Sequence, residues 1–243
     1  MVSMAEGLEI LLEDNHCLAV VKPAGLLTQG VPRGIPTLEA LVKEYLKRKY
    51  NKPGNVYLGI PHRLDRPVSG VVLFARNSKA AGRLAEQFQN RQVRKVYWSV
   101  VEGQVEPMQG EWQDWLMKVP EEARSICVPP DALGAREARL RYRVLELGDA
   151  HTLLEIELET GRMHQIRVQA AERGWPVLGD VQYGAKRAFG PPAALPRDAL
   201  IALHARSLTF LHPLRYEPIT LTAPLPEHWK AVVSSSSRLE ERP

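Results

Sequence analysis

Two unbroken apolar runs stand out: Leu18-Ala19-Val20-Val21 and Val71-Val72-Leu73-Phe74-Ala75. Runs this short, rich in β-branched residues and bounded by Pro and Gly, predict buried strands. The first should end at the turn Lys22-Pro23-Ala24-Gly25. Between them the rhythm changes to helical spacing at Leu38, Leu41, Val42 and Tyr45. Thr37 is placed to cap that helix, and Lys47, Arg48 and Lys49 close it, where cations suit the dipole. This basic end reads either as a solvated helix terminus or as a phosphate contact. A second helix should begin at Asn77 or Ser78 and turn Ala81, Leu84, Ala85 and Phe88 toward the core. A strand over residues 93–101 follows.

Residues 138–159 alternate in a different way. Arg139, Arg141 and Arg143 share one strand face, and Glu155, Glu157 and Glu159 share one face of the next strand. A loop of Gly148, Asp149 and Ala150 would set Arg143 against Glu155, Arg141 against Glu157 and Arg139 against Glu159. The same register pairs Val144 with Leu154, Tyr142 with Ile156 and Leu140 with Leu158. Opposite charges facing each other across a hairpin stabilise it. The arginine row is therefore expected to be neutralised within the sheet rather than to form a phosphate-binding ladder.

Strands and helices mix without regular βαβ alternation, and at least one hairpin is antiparallel. That pattern predicts an α+β fold with a mixed, largely antiparallel central sheet and flanking helices. The 243 residues, 44% of them hydrophobic, suffice for one large domain or two small ones. Net charge is +4 and the isoelectric point is near 9.1, a mild excess that permits nucleic-acid binding. Cys17 and Cys127 are far apart in the chain, so no disulfide framework or paired-cysteine metal site is implied. Cys17 adjoins an apolar run and reads as a packed core thiol. No apolar stretch reaches the roughly 20 residues that span a bilayer, and the first residues lack a basic-then-apolar leader. A reduced, cytoplasmic setting is expected. Residues 234–243, serine-rich and then charged, read as a disordered tail.

The most informative stretch is Pro61-His62-Arg63-Leu64-Asp65-Arg66-Pro67-Val68-Ser69-Gly70. One carboxylate sits among three basic side chains, in a Pro/Gly-bounded loop feeding a buried strand. Nearby positive charge favours the ionised form of such an Asp. A lone carboxylate in a cationic loop suits nucleophilic or proton-transfer chemistry on a polyanion. The plainer alternative is an Asp-Arg pair pinning a loop.

This loop resembles the signature of the RluA-like family of pseudouridine synthases. Three more blocks agree, in the family's order: Val20-Val21-Lys22-Pro23-Ala24-Gly25-Leu26-Leu27, Val93-Arg94-Lys95-Val96-Tyr97-Trp98, and Thr160-Gly161-Arg162-Met163-His164-Gln165-Ile166-Arg167. The resemblance covers residues 8–226 and implies one catalytic domain there, preceded by an extension over residues 1–7. Little chain precedes the first block, so the small RNA-binding domain of longer members is expected to be absent. The implied fold is a mixed sheet with a catalytic cleft across one face.

The resemblance also implies roles. Asp65 is the catalytic carboxylate. Arg167 pairs with it, and Tyr97 stacks on uracil and relays a proton. Arg63 enters the base stack when the target base leaves, and Ile166 walls the base pocket. His62, Arg66, Arg94, Lys95, Arg162 and Lys186 complete the expected RNA-contacting set. His62 and His164 read as structural hydrogen-bonding residues, not bases. The expected partner is a tRNA or rRNA stem-loop, acted on by a monomer without cofactor or metal. Val68 stands where the family usually has Thr, and Gln169 where it commonly has His; residues 191–196 look like a local variation.

Two rival classes remain in view. A metal-dependent hydrolase would need His62, Asp65, His164, Asp180 and His204 as a ligand set, but no closely spaced ligand motif supports it. A non-catalytic RNA-binding module would have no use for Asp65, Tyr97 and Arg167 together.

Overall fold

The computed structural model describes residues 7–30, 35–195 and 198–233. The expectations for the tail and for most of the N-terminal extension lie outside the described residues. In chain order the elements are β1 (Ile10–Glu13), β2 (Cys17–Lys22), α1 (Leu38–Lys49), β3 (Ser69–Ala75), α2 (Ser78–Gln89), β4 (Arg94–Glu102), β5 (Gln109–Val119), β6 (Arg124–Val128), β7 (Arg136–Leu147), β8 (His151–Leu158), α3 (Gln165–Glu172), β9 (Leu203–Leu211) and β10 (Pro218–Thr222). The class is α+β, with largely antiparallel sheet structure. Two compact units divide the chain: Met1–Arg94 with Ala205–Pro224, and Lys95–His204 with Leu225–Pro243.

In the first unit the strands lie in the order β1-β2-β3-β9, and β10 pairs with β9. The two apolar runs are antiparallel neighbours, from Cys17 opposite Ala75 to Lys22 opposite Gly70. Every residue of β3 is buried. Cys17, Val71, Leu73, Leu84, Leu208 and Phe210 pack into one core, so Cys17 is the core thiol its neighbours predict. Burial pushes that thiol up to about 12. Helix α1 starts as expected, with Thr37 accepting the Ala40 N–H at 3.1 Å. Its basic end is solvent-exposed, and Lys49 bonds Glu13 at 2.8 Å. That arrangement fits the solvated helix terminus.

Helix α2 corrects one detail. Asn77 is its cap, accepting the Ala80 N–H at 2.9 Å, but Ala85 is exposed. The buried face runs through Ala80, Leu84 and Gln87. Ala85 lies one residue past that stripe, turned away by about 100°. Gln87 goes inside because its amide pairs with both backbone groups of Leu211, at 2.8 and 2.9 Å. A pattern search over apolar residues cannot see that position.

The second unit holds the order β4-β8-β7-β5-β6, with each neighbouring pair antiparallel. The β7–β8 hairpin has the expected register: Leu140 opposite Leu158, Arg141 opposite Glu157, Tyr142 opposite Ile156, Arg143 opposite Glu155 and Val144 opposite Leu154. Nearer the turn a bulge at Leu145 shifts the pairing, so Glu146 faces Leu153. Bulges of this kind insert one unpaired residue and leave no simple trace in an alternating pattern.

The arginine row is neutralised, with partners more numerous than the hairpin alone supplies. Arg143 Nε meets Glu155 at 2.7 Å. Arg141 reaches diagonally to Glu159 at 2.9 Å, and Arg139 bonds Glu137 on its own strand at 2.7 Å. Strand β5 adds Glu111, which lies opposite Arg141. Because these pairs are largely exposed, each contributes about 0–1 kcal/mol. Replacing Arg141 by Gln should therefore change stability by less than about 1 kcal/mol in urea unfolding and leave RNA affinity nearly unchanged.

Gly70 ends the informative loop under a different constraint. Its φ is +121°, and a Cβ there would lie 2.2 Å from the Ala205 carbonyl oxygen. The obstacle is backbone, which cannot swing aside. Gly70→Ala should destabilise the protein by roughly 2 kcal/mol or more, read as a lower urea midpoint at unchanged slope.

Candidate active site

Asp65 lies in the first unit, half-buried, in the loop between α1 and β3. The segment after β2 clamps its two neighbours. On one side, Thr28 Oγ1 donates to the Leu64 carbonyl at 2.8 Å and accepts the Leu64 N–H at 3.2 Å. On the other, the Gly25 N–H donates to the Arg66 carbonyl at 2.8 Å, and Arg66 Nε donates back to the Gly25 carbonyl at 3.0 Å. Gly25 has φ +86°, a left-handed turn conformation suited to glycine. The Val68 N–H closes the loop onto the Asp65 carbonyl at 3.1 Å. Val68 itself is buried, so an apolar contact stands at this departure from the family pattern.

Lys22 completes the clamp, and the sequence reading gave it no role. Its side chain is fully buried at the end of β2. The ammonium donates to the carbonyls of Pro23 at 2.9 Å, Leu26 at 2.6 Å and Arg66 at 3.2 Å. Three donors thus meet three acceptors, which offsets part of the cost of burying the charge. Burial is still the largest influence and pushes the Lys22 ammonium down to about 7; the Asp65 charge opposes that shift, and Arg66 adds to it. The available signal was a lone lysine ending an apolar strand just before Pro-Ala-Gly.

His62 and Arg63 precede Asp65 in the same loop. His62 Nε2 accepts the Leu73 N–H at 3.0 Å, and its ring stacks on Phe88 at 4.8 Å. That acceptor role places the ring proton on Nδ1 in the neutral form. Arg63 is exposed, and Arg66 is half-buried. Arg94 is exposed at the last position of this unit's first segment.

The remaining candidates belong to the second unit. Tyr97 sits half-buried on β4 opposite Ile156. Lys95, also on β4, donates to the Thr160 carbonyl at 3.3 Å. Lys186 is exposed, its backbone N–H bonded to Glu102 at 2.9 Å. Ile166 and Arg167 are buried in α3. The helix start is fixed by Gln165, whose Oε1 accepts from Thr160 Oγ1 at 2.7 Å and from the Arg162 N–H at 3.0 Å. Arg167 makes a buried, bidentate pair with Asp180, at 2.6 and 2.8 Å, and bonds Gln182 at 2.9 Å. Tyr183 stacks on the same guanidinium at 4.9 Å. Gln169 is buried too, its amide donating to Asp114 at 2.6 Å and to the carbonyls of Trp112 and Ala138 at 3.3 Å.

These bonds occupy much of the proposed hydrolase ligand set. Both Asp180 oxygens accept from Arg167, His62 Nε2 holds a backbone N–H, and His164 Nδ1 pairs with the Tyr183 hydroxyl at 2.9 Å. Among the described residues one group has metal-ligand spacing, Asp14 with Cys17 and His212. Its donors are spent internally: Asp14 accepts from the His16 and Cys17 N–H groups and from His212, whose Nδ1 accepts the Leu214 and Arg215 N–H groups. Bonded in this way, the cluster ties the start of β2 to the end of β9 as a core pin.

Residues 16–172 match the RNA pseudouridylate synthase family. The ribosomal large subunit pseudouridine synthase D of Xanthomonas campestris is 37% identical, across 94% of this chain and 69% of that protein. The tRNA pseudouridine synthase C of Pasteurella multocida is 32% identical, across 93% of this chain and 95% of its own length. Among solved structures, human RNA pseudouridylate synthase domain containing 4 shares the fold at TM-score 0.76 and 24% identity, covering 94% of each chain. No described helix is long and apolar enough to cross a membrane.

Replacing Lys22 by Met tests the clamp. Three carbonyls lose their donor, so stability should fall by about 1–3 kcal/mol. The pH dependence has a definite sign. In the wild type the folded-state value, about 7, lies below the ordinary lysine value. Between the two, the unfolded chain binds more protons, so wild-type stability rises with pH relative to the Met variant. The advantage should shrink as pH falls from the ordinary lysine range toward about 7 and level off below it. Paired urea titrations at pH near 6.5 and near 9 read the difference directly.

Proposed function

The chain belongs to the RNA pseudouridylate synthase family, and from that premise we propose that it isomerises particular uridines in a structured tRNA or ribosomal RNA, with Asp65 as the essential carboxylate. It is an RNA pseudouridine synthase, an isomerase. The observation that carries the Asp65 assignment is the double clamp, which fixes the backbone on both sides of this one carboxylate. Positional rigidity of that kind is what a group acting at a single bond requires.

The reaction breaks the N1–C1′ bond of uridine and forms a C5–C1′ bond to the same base. The C5 proton leaves, and N1 ends protonated, so atoms balance without an oxidant or a second substrate. Asp65 acts at the junction of ribose and base. Tyr97 offers a ring for stacking on uracil and a hydroxyl for relaying the C5 proton. Arg167, oriented by its buried pair with Asp180, supplies a fixed positive charge. Arg63, exposed two residues before Asp65, is available to occupy the gap left by an extruded base. The relatives' names support both RNA classes: one is a ribosomal and the other a tRNA enzyme.

The test is single-turnover pseudouridine formation on bulk tRNA and on a large-subunit ribosomal RNA transcript. Asp65→Asn keeps size and removes charge. It should slow turnover at least about a hundredfold while RNA affinity stays near wild type. Tyr97→Phe should slow turnover less and keep binding. Comparable turnover by wild type and Asp65→Asn would remove the assignment.

A further inference from the structure

The second unit contains a basic concavity that the catalytic roles do not use. It encloses about 540 Å³ and is lined by Lys118 of β5, Ser125 of β6, Leu133 and Gly134 before β7, Arg136 at the start of β7, and Arg162 before α3, among others. That size suits a nucleotide-sized ligand. Three cations line it and no carboxylate does.

The contrast with the neighbouring arginine row is decisive. Arg139, Arg141 and Arg143 each meet a glutamate within 3 Å. Lys118 and Arg136 are exposed, and among the described residues neither is paired with a carboxylate. Arg162 is held in place through its backbone N–H, at 3.0 Å from Gln165, and through Nε, at 2.8 Å from the Glu137 carbonyl. Ser125 Oγ ties the β6 wall to Met163 at 2.7 Å, on the same loop as Arg162. The walls are therefore fixed, while two cations keep their charge uncompensated.

We propose that this concavity is a second RNA-binding site, in which Lys118, Arg136 and Arg162 hold phosphates of the substrate's phosphodiester backbone. The proposal rests on the reading that the substrate is RNA. Backbone phosphates are the chemistry that exposed cations such as Lys118 and Arg136 select, and each neutralised phosphate releases counterions. Binding there adds affinity and fixes register through the backbone rather than through a base edge.

The experiment compares wild type with the pair Lys118→Gln and Arg136→Gln, the charge-keeping pair Lys118→Arg and Arg136→Lys, and the pair Arg141→Gln and Arg143→Gln. Kd is measured for bulk tRNA and for the large-subunit transcript across a potassium chloride series. The first pair should weaken binding roughly ten- to thirtyfold near 0.1 M salt and lower the slope of log Kd against log salt by about 1.5. Single-turnover rate at saturating RNA should stay unchanged. The charge-keeping pair and the ladder pair should match wild type in both readouts. An unchanged Kd and slope for the first pair, in an enzyme that makes pseudouridine, would overturn the site while leaving the enzymatic reading intact. A wild type that neither binds RNA nor makes pseudouridine would remove both. Uridine monophosphate binding as tightly as RNA, and lost in the first pair, would assign the concavity to a small phosphate ligand and overturn the proposal.

Discussion

The hydrogen-bonded seam between residues 22–28 and the Asp65 loop is the constraint on which the first unit's chemistry depends. Leu64 and Arg66 are each bonded twice to that segment, through Thr28 and Gly25. Lys22 closes the seam from inside by satisfying three carbonyls with one ammonium. Burying that charge is costly, and its proton affinity falls accordingly, to about 7. The return is a carboxylate whose neighbours cannot slide. Gly70 continues the logic at the far end of the loop, where the Ala205 backbone leaves no space for a side chain.

The second unit manages charge in two ways. Its central strands carry many arginines, yet glutamates on the same and adjacent strands answer them. Such a ladder supports register and solubility but leaves little field for a polyanion. The cations around the β5–β6 concavity lack such answers among its lining residues. Net charge alone would not separate these cases, because both sets add equally to the formal total of +4.

What could be read from the sequence follows from how local each signal is. The strands β2 and β3 and the caps at Thr37 and Asn77 depend on near neighbours, and they were legible. The hairpin register was legible because charge and apolar pairing agreed over Leu140–Val144; the bulge beyond Val144 breaks alternation and was not. Burial of Gln87 and Gln169 depends on backbone partners far along the chain, so polarity misleads there. The motif around Asp65 marked the loop, but not the lysine beneath it. Arg167 was singled out, but nothing local marked Asp180, thirteen residues on, as a partner for its guanidinium.

The account stands on Asp65 making pseudouridine in cellular RNA. The direct measurement is a transcript-wide pseudouridine map of total RNA from the parent cells, from cells lacking this gene, and from the deletion complemented by wild type or by Asp65→Asn. The account predicts that one or more tRNA or ribosomal positions revert to uridine on deletion, return with wild type, and stay unmodified with Asp65→Asn. An identical map in all four strains, or full restoration by Asp65→Asn, would contradict it.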